Sequence, residues 1–188
     1  MERSQLNRLG IASGATEPVS VADAKSWSAI DTSLDDAVIS AIIVSAREMC
    51  ETYLSRDVIA KDYEYFEPSP ESGEDGCYYV VLPRPTSEGL VASVSDSNGT
   101  LTASTDWEMY GVNGRIIKLL QAPSGAVTVT FESLPVTSES DLELIKSGIK
   151  SLAEQIYDNR ANLEGDSDIM ILDRNIKMTL KPAKYVYF

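Results

Sequence analysis

Between Glu17 and Arg56 the chain carries Glu-Pro-Val-Ser-Val-Ala-Asp-Ala-Lys, an Asp-rich break from Asp31 to Asp36, and then a long helical pattern closing on Tyr53-Leu54-Ser55-Arg56. That order fixes two consecutive helices. Ser20 is suited to N-cap the first, with Asp23 three residues on completing a capping box, and Val21, Ala24, Trp27 and Ile30 recur at helical spacing behind Pro18. Ser33 is the expected cap of the second, and Asp35 and Asp36 sit in its first turn, where the helix dipole favours acids. Val38, Ile42, Ser45 or Ala46, Met49 and Tyr53 then define one face, leaving Arg47, Glu48 and Glu51 largely on the other.

From Val58 to Leu134 the period shortens to that of strands. Runs at 62–66, 78–82, 90–95, 101–103, 107–110, 115–119 and 126–131 alternate or cluster β-formers. Asp96-Ser97-Asn98-Gly99 is a hairpin signal, because Asn-Gly accepts the positive φ angles of a tight turn; Gly111 to Gly114 predicts another. Pro68 to Gly76 reads as an exposed acidic loop.

A final long helix begins around Ser138 to Asp141 and runs to about residue 162. It sets Leu142, Ile145, Ile149, Leu152 and Ile156 in an apolar seam with Lys146, Lys150 and Glu154 outside. Each such side chain is worth about 1.5–3 kcal/mol if fully buried, whereas each ordered residue costs about 1–2 kcal/mol of backbone entropy. The helix must therefore pack on something, as a core helix or against a neighbouring subunit.

Composition narrows the functional classes. The 188 residues, 43% apolar, suffice for a real core. No apolar run reaches the roughly 18 residues of a membrane span, and the first residues lack a signal-peptide pattern, so intracellular synthesis without a membrane partner is expected. Cys50 and Cys77 are too few and too separated for a disulfide framework. With no histidine, His-dependent triads and the usual zinc sites are excluded, and no phosphate-binding glycine motif is present. No catalytic residue, metal or cofactor is expected. Glu164, Asp166 and Asp168 cluster, but their spacing fits no metal loop and a solvated turn explains them. Tyr63, Trp107 and Tyr110 on short strands are expected to fill a core or make cross-strand pairs rather than to form a ligand platform. Asn98-Gly99-Thr100 is a hairpin turn before it is a glycosylation acceptor.

Sixteen basic against 29 acidic side chains leave a formal charge of −13, which argues against gripping nucleic acid by its phosphates. The charge is uneven. Arg174 to Phe188 holds four cations and no acid, leaving −17 on the preceding residues.

Taken in order, Glu-Pro-Val-Ser-Val-Ala-Asp-Ala-Lys, the Asp-rich break, Glu51-Thr52-Tyr53-Leu54-Ser55-Arg56, Leu82-Pro83-Arg84-Pro85, the Asn-Gly hairpin and the late Ile156-Tyr157-Asp158-Asn159-Arg160 resemble the head-to-tail connector, or adaptor, proteins of tailed bacteriophages over about residues 17 to 163. That resemblance implies an α+β fold, a small helical core with a β-rich insertion. It also implies a virion role in the neck: a ring of about twelve copies below the portal, joined to a tail or stopper protein, through which DNA passes without specific binding. The alternative is an intracellular protein-binding module that uses its β-surface and has no virion role.

The expected organisation is a flexible arm at 1–16; a connector domain at 17–163, with helices at about 20–30, 34–55 and 139–162 and strands within about 58–134; and a basic, aromatic arm at 164–188. In that arm Ile176, Met178 and Leu180 alternate with Lys177, Thr179 and Lys181 as in a half-buried strand, and Tyr185, Tyr187 and Phe188 follow. Two roles are open to it. It docks on the portal or a neighbouring subunit through Arg174, Ile176, Lys177, Met178, Leu180, Lys181, Lys184, Tyr185, Tyr187 and Phe188, or it completes its own sheet. Subunit packing is expected at Arg47, Arg56, Lys146, Lys150, Ile149 and Ile156, with the basic residues facing carboxylates of a neighbour.

Overall fold

The computed structural model describes residues 3–111, 114–159 and 173–184. The chain forms two compact units, one from residues 1–15 and 59–135 and the other from 16–58 and 136–188. The fold class is α+β, as expected.

The first unit is built of antiparallel strands. One sheet has the order β1 (Gln5–Ile11), β2 (Lys61–Glu67), β9 (Val127–Glu132), β5 (Val91–Asp96), β6 (Gly99–Leu101); the other runs β3 (Glu71–Ser72), β4 (Tyr78–Val81), β8 (Ile116–Leu119), β7 (Trp107–Tyr110). Burial alternates strictly along β9, so Val127, Val129 and Phe131 enter the core while Thr128, Thr130 and Glu132 turn away. They meet Tyr63, Tyr65, Val80, Leu82, Val94, Trp107, Ile117 and Leu119 in one apolar cluster. Tyr63 stacks on Phe131 with ring centroids 5.7 Å apart. Trp107 and Tyr63 are thus core residues, whereas Tyr110 is half exposed.

The hairpin forms where expected, but its two-residue turn is Ser97-Asn98, one residue before the Asn-Gly pair; Gly99, at φ 130°, opens β6 opposite Asp96. Residues 112 and 113 of the second expected turn lie outside the described residues; the strands on either side, β7 and β8, pair directly. Gly114 has a stricter role: its φ is 57°, and a β-carbon there would collide with the carbonyl oxygen of Thr86. The Thr86 amide donates to the Gly114 carbonyl at 2.6 Å, so the two backbones are held in contact.

The expectation of a loose arm at 1–16 is corrected. Gln5–Ile11 is an edge strand whose residues pair with β2 from Gln5 opposite Phe66 to Ile11 opposite Lys61. Its register slips between Arg8 and Gly10, and Leu9 at the slip is 57% exposed. A bulge of this kind twists an edge strand and discourages indiscriminate pairing. The acidic loop at 68–76 also contains the two residues of β3.

The second unit holds α1 (Val21–Trp27), α2 (Asp36–Leu54), α3 (Glu139–Asn159) and α4 (Arg174–Leu180), the last continued by a 3-10 turn at Lys181–Ala183. Ser20 caps α1 as expected, its Oγ accepting from the Asp23 amide at 3.1 Å while Asp23 accepts from the Ser20 amide at 3.2 Å. The second cap differs from expectation. Ser33 accepts from the Asp36 amide only through its backbone, in a turn, so α2 begins two residues later with Asp35 at the N-cap.

Ile39, Ile42, Ile43, Ala46, Cys50 and Leu54 of α2 pack with Ile145, Ile149, Leu152 and Ala153 of α3 and with Ile176 and Leu180 of α4. The buried face of α2 is therefore rotated from the sequence reading: Val38 is 45% exposed, and Arg47 and Glu51 are interior. The α3 seam is where its periodicity puts it, with Leu142 and Ile156 at its margins; residues 160–162 lie outside the described residues. Among the described residues no helix is long and apolar enough to cross a membrane.

The largest correction concerns 174–184, which is helical and not a strand. Ile176 and Leu180, four residues apart, share the buried face, and Arg174, Lys177, Met178 and Lys181 fall on the outer one. The half-buried strand expected here is therefore a helix, and these residues complete no sheet of their own.

Candidate assembly surface

The outer face of α4 begins with how α4 is seated. Gly148 leaves a notch in α3 into which Leu180 fits, since a β-carbon at Gly148 would lie 2.7 Å from Leu180 Cδ2. Leu180 is wholly buried and Ile176 nearly so. Seating those two side chains turns four cations outward. Arg174, Lys181 and Lys184 are exposed and Lys177 is half-buried. Among the described residues none of the four is paired with a carboxylate. Met178 stands among them at 63% exposure.

Beside this face runs an open groove of about 370 Å³ lined by Glu48, Met49, Thr52 and Tyr53 of α2 and by Lys177. Lys184 Nζ lies 4.4 Å from the centroid of the Tyr53 ring, a cation–π contact, and the Tyr53 hydroxyl approaches the Lys177 carbonyl at 3.4 Å. A largely apolar floor with Lys177 and Lys184 on one margin and Glu48 on the lining is the composition of a protein-binding surface. The sequence puts Met49 and Tyr53 on one helical face, and they do pack against the core as partly buried residues; only the position of α4 shows that they also border a groove.

The residues expected to pack against neighbouring subunits are largely engaged within this unit. Arg47 is fully buried and holds Glu17 through Nε at 2.9 Å and Nη2 at 3.1 Å, and Glu51 through Nη1 at 2.7 Å. Glu51 also accepts from the Val58 amide at 2.7 Å. Burial by itself would lower the Arg47 pKa, but the Glu17 hydrogen bonds and the charges of Glu51, Glu17 and Glu48 raise it above its ordinary value, so the guanidinium stays charged. Burial, assisted by the Glu51 charge, pushes the Cys50 thiol up to about 12, which makes it a packing residue at neutral pH.

Ile149 is in the core and Ile156 at its edge. Arg56 reaches Asp141 at 3.4 Å, Lys146 bonds Glu143 at 2.8 Å, and Lys150 Nζ sits 4.6 Å from the Trp27 ring centroid. The Trp27 Nε1–H donates to Glu154 at 3.1 Å, and the indole is partly exposed. Tyr185, Tyr187 and Phe188, and the Glu164, Asp166 and Asp168 cluster, lie outside the described residues.

Comparison with known proteins turns on the whole fold. Solved structures that match at near full length include the neck of an empty GTA particle computed with C6 symmetry (TM-score 0.66, 16% identity), the virion of a native gene transfer agent particle (0.63, 18%) and the neck of a native GTA particle computed with C12 symmetry (0.61, 18%). Each match covers 98% of this chain and 97% of the other. The chain has the fold of a subunit of those neck particles. No family model and no curated protein sequence matches, so the likeness is one of fold and not of close sequence. The neck fold spans both units, including β1 and α4, which lie beyond the 17–163 core of the sequence resemblance.

Proposed function

We propose that this chain is a head-to-tail connector subunit of a tailed-phage-like particle, forming a ring of about twelve copies beneath the portal and joining the DNA-filled head to a tail or stopper protein. The observation that carries the reading is the end-to-end fold match to chains of particle necks, one computed with C6 and another with C12 symmetry. It agrees with the ordered sequence features from Glu17 to Arg160. The role is structural, located in the virion after synthesis in the host cytoplasm, and uses no cofactor.

The charge has a mechanical use in such a ring. At −13 per copy the assembly is strongly acidic, and an acidic wall repels the phosphate backbone and lets DNA slide past without binding. Specific docking then falls to surfaces that are locally basic or uncharged, of which the outer face of α4 is one.

The test is to mix the purified chain with the portal protein of the same particle and measure complex mass, with each protein alone as control. A portal-bound species containing about twelve copies supports the reading. Failure to bind the portal under any assembly condition removes it.

A further inference from the structure

Resting on the connector reading, we propose that the outer face of α4 and the groove beside it receive an acidic surface of a second copy of this chain. Three observations converge on that occupant. The segment Arg174–Lys184 carries four cations without an acid, and the described residues pair none of them with a carboxylate. Its centre is apolar, with Met178 at 63% exposure and the Met49–Tyr53 groove alongside, so a charged margin surrounds a desolvatable middle. The rest of the chain carries −17, so a second copy supplies the complementary charge, whereas most other pairings of two such chains bring like charges together.

A basic face meeting a different, acidic face is a heterologous contact, the kind that closes into a ring when its rotation divides a full turn. The segment cannot be tested by deletion, because Ile176 and Leu180 belong to the helical core. Surface changes that spare those residues are required.

The experiment is sedimentation velocity on the full chain across a concentration series at about 0.1 M and about 0.5 M salt, between which the screening length falls about twofold, comparing wild type with K177E/K181E and with K177R/K181R. Circular dichroism and thermal melting confirm that each variant is folded, and K177Q/K181Q replaces the charge reversal if that one is not. The expected result is salt-weakened self-association of wild type, retained by the arginine pair and reduced at least about tenfold by the reversal, as loss of complementary charge at an interface predicts. Self-association of the reversal variant equal to wild type overturns the inference, as does a wild-type chain that is monomeric throughout or that associates more tightly in high salt.

Portal binding is measured on the same samples. A reversal variant that still self-associates but no longer binds the portal assigns this face to the portal, overturning the inference and leaving the connector reading intact. A wild-type chain that neither self-associates nor binds the portal overturns both.

Discussion

Gly148 of α3 and Leu180 of α4 fit as notch and peg: the glycine hydrogen occupies the place where a β-carbon would stand 2.7 Å from Leu180 Cδ2. The contact decides how α4 lies and therefore which of its residues reach solvent. Gly148→Val is expected to displace the Leu180 side chain and to cost about 1–3 kcal/mol, as overpacking typically does. Leu180→Ala, which empties the same site, is expected to cost about 2–5 kcal/mol. Urea unfolding of both variants checks this, and a neutral Gly148→Val would show that α4 is not seated there.

The buried guanidinium of Arg47 makes a second prediction. Removing one partner of a buried ion pair leaves an uncompensated charge, so Glu51→Ala is expected to lose about 3–5 kcal/mol. Glu17→Ala is expected to lose less, because the Glu17 side chain is 32% exposed and water replaces it. Equal losses in denaturant melts would contradict the asymmetry.

Much of this was legible in the chain. The Ser20–Asp23 box, the α3 seam, a hairpin within Asp96 to Gly99 and seven of the nine strands follow from local chemistry, although the hairpin turn itself falls at Ser97-Asn98. What escaped was decided by distant partners. Residues 5–11 are a strand only because β2, more than fifty positions away, offers an edge. Ile176, Met178 and Leu180 fit a two-residue period as well as Ile176 and Leu180 fit a helical one; the Gly148 notch selects the helix. Arg47 and Glu51 look like solvent residues until each is seen to neutralise the other. The groove at Tyr53 needs α2 and α4 together, so no single stretch of sequence announces it.

Gly114 is held at φ 57°, where a β-carbon would run into the Thr86 carbonyl oxygen. Gly114→Ala is expected to destabilise the β unit by at least about 1 kcal/mol, since the new methyl meets rigid backbone in a strained conformation. Thermal melting reads this directly, and an unchanged midpoint would refute the contact.

Asp75 provides a pH test in the same unit. Its carboxylate accepts from the Tyr79 hydroxyl at 2.7 Å, is approached by Lys118 Nζ at 3.1 Å and accepts from the Cys77 amide at 3.2 Å; these hold its pKa below the usual carboxylate range. A depressed folded pKa stabilises the fold above the unfolded value of about 3.9 and loses that stabilisation as pH falls through the folded value. The stability difference between wild type and Asp75→Asn is therefore expected to be constant at neutral pH and to shrink only in strong acid. Carboxyl NMR titration checks it, and an ordinary Asp75 midpoint would contradict the geometry.

The most direct test of the connector reading is to locate the chain in intact particles by electron cryo-microscopy, using particles that carry a tagged copy. The account predicts a ring of about twelve subunits between portal and tail, each with this two-unit fold. Particles that hold the chain elsewhere, or that assemble complete necks without it, would contradict the account.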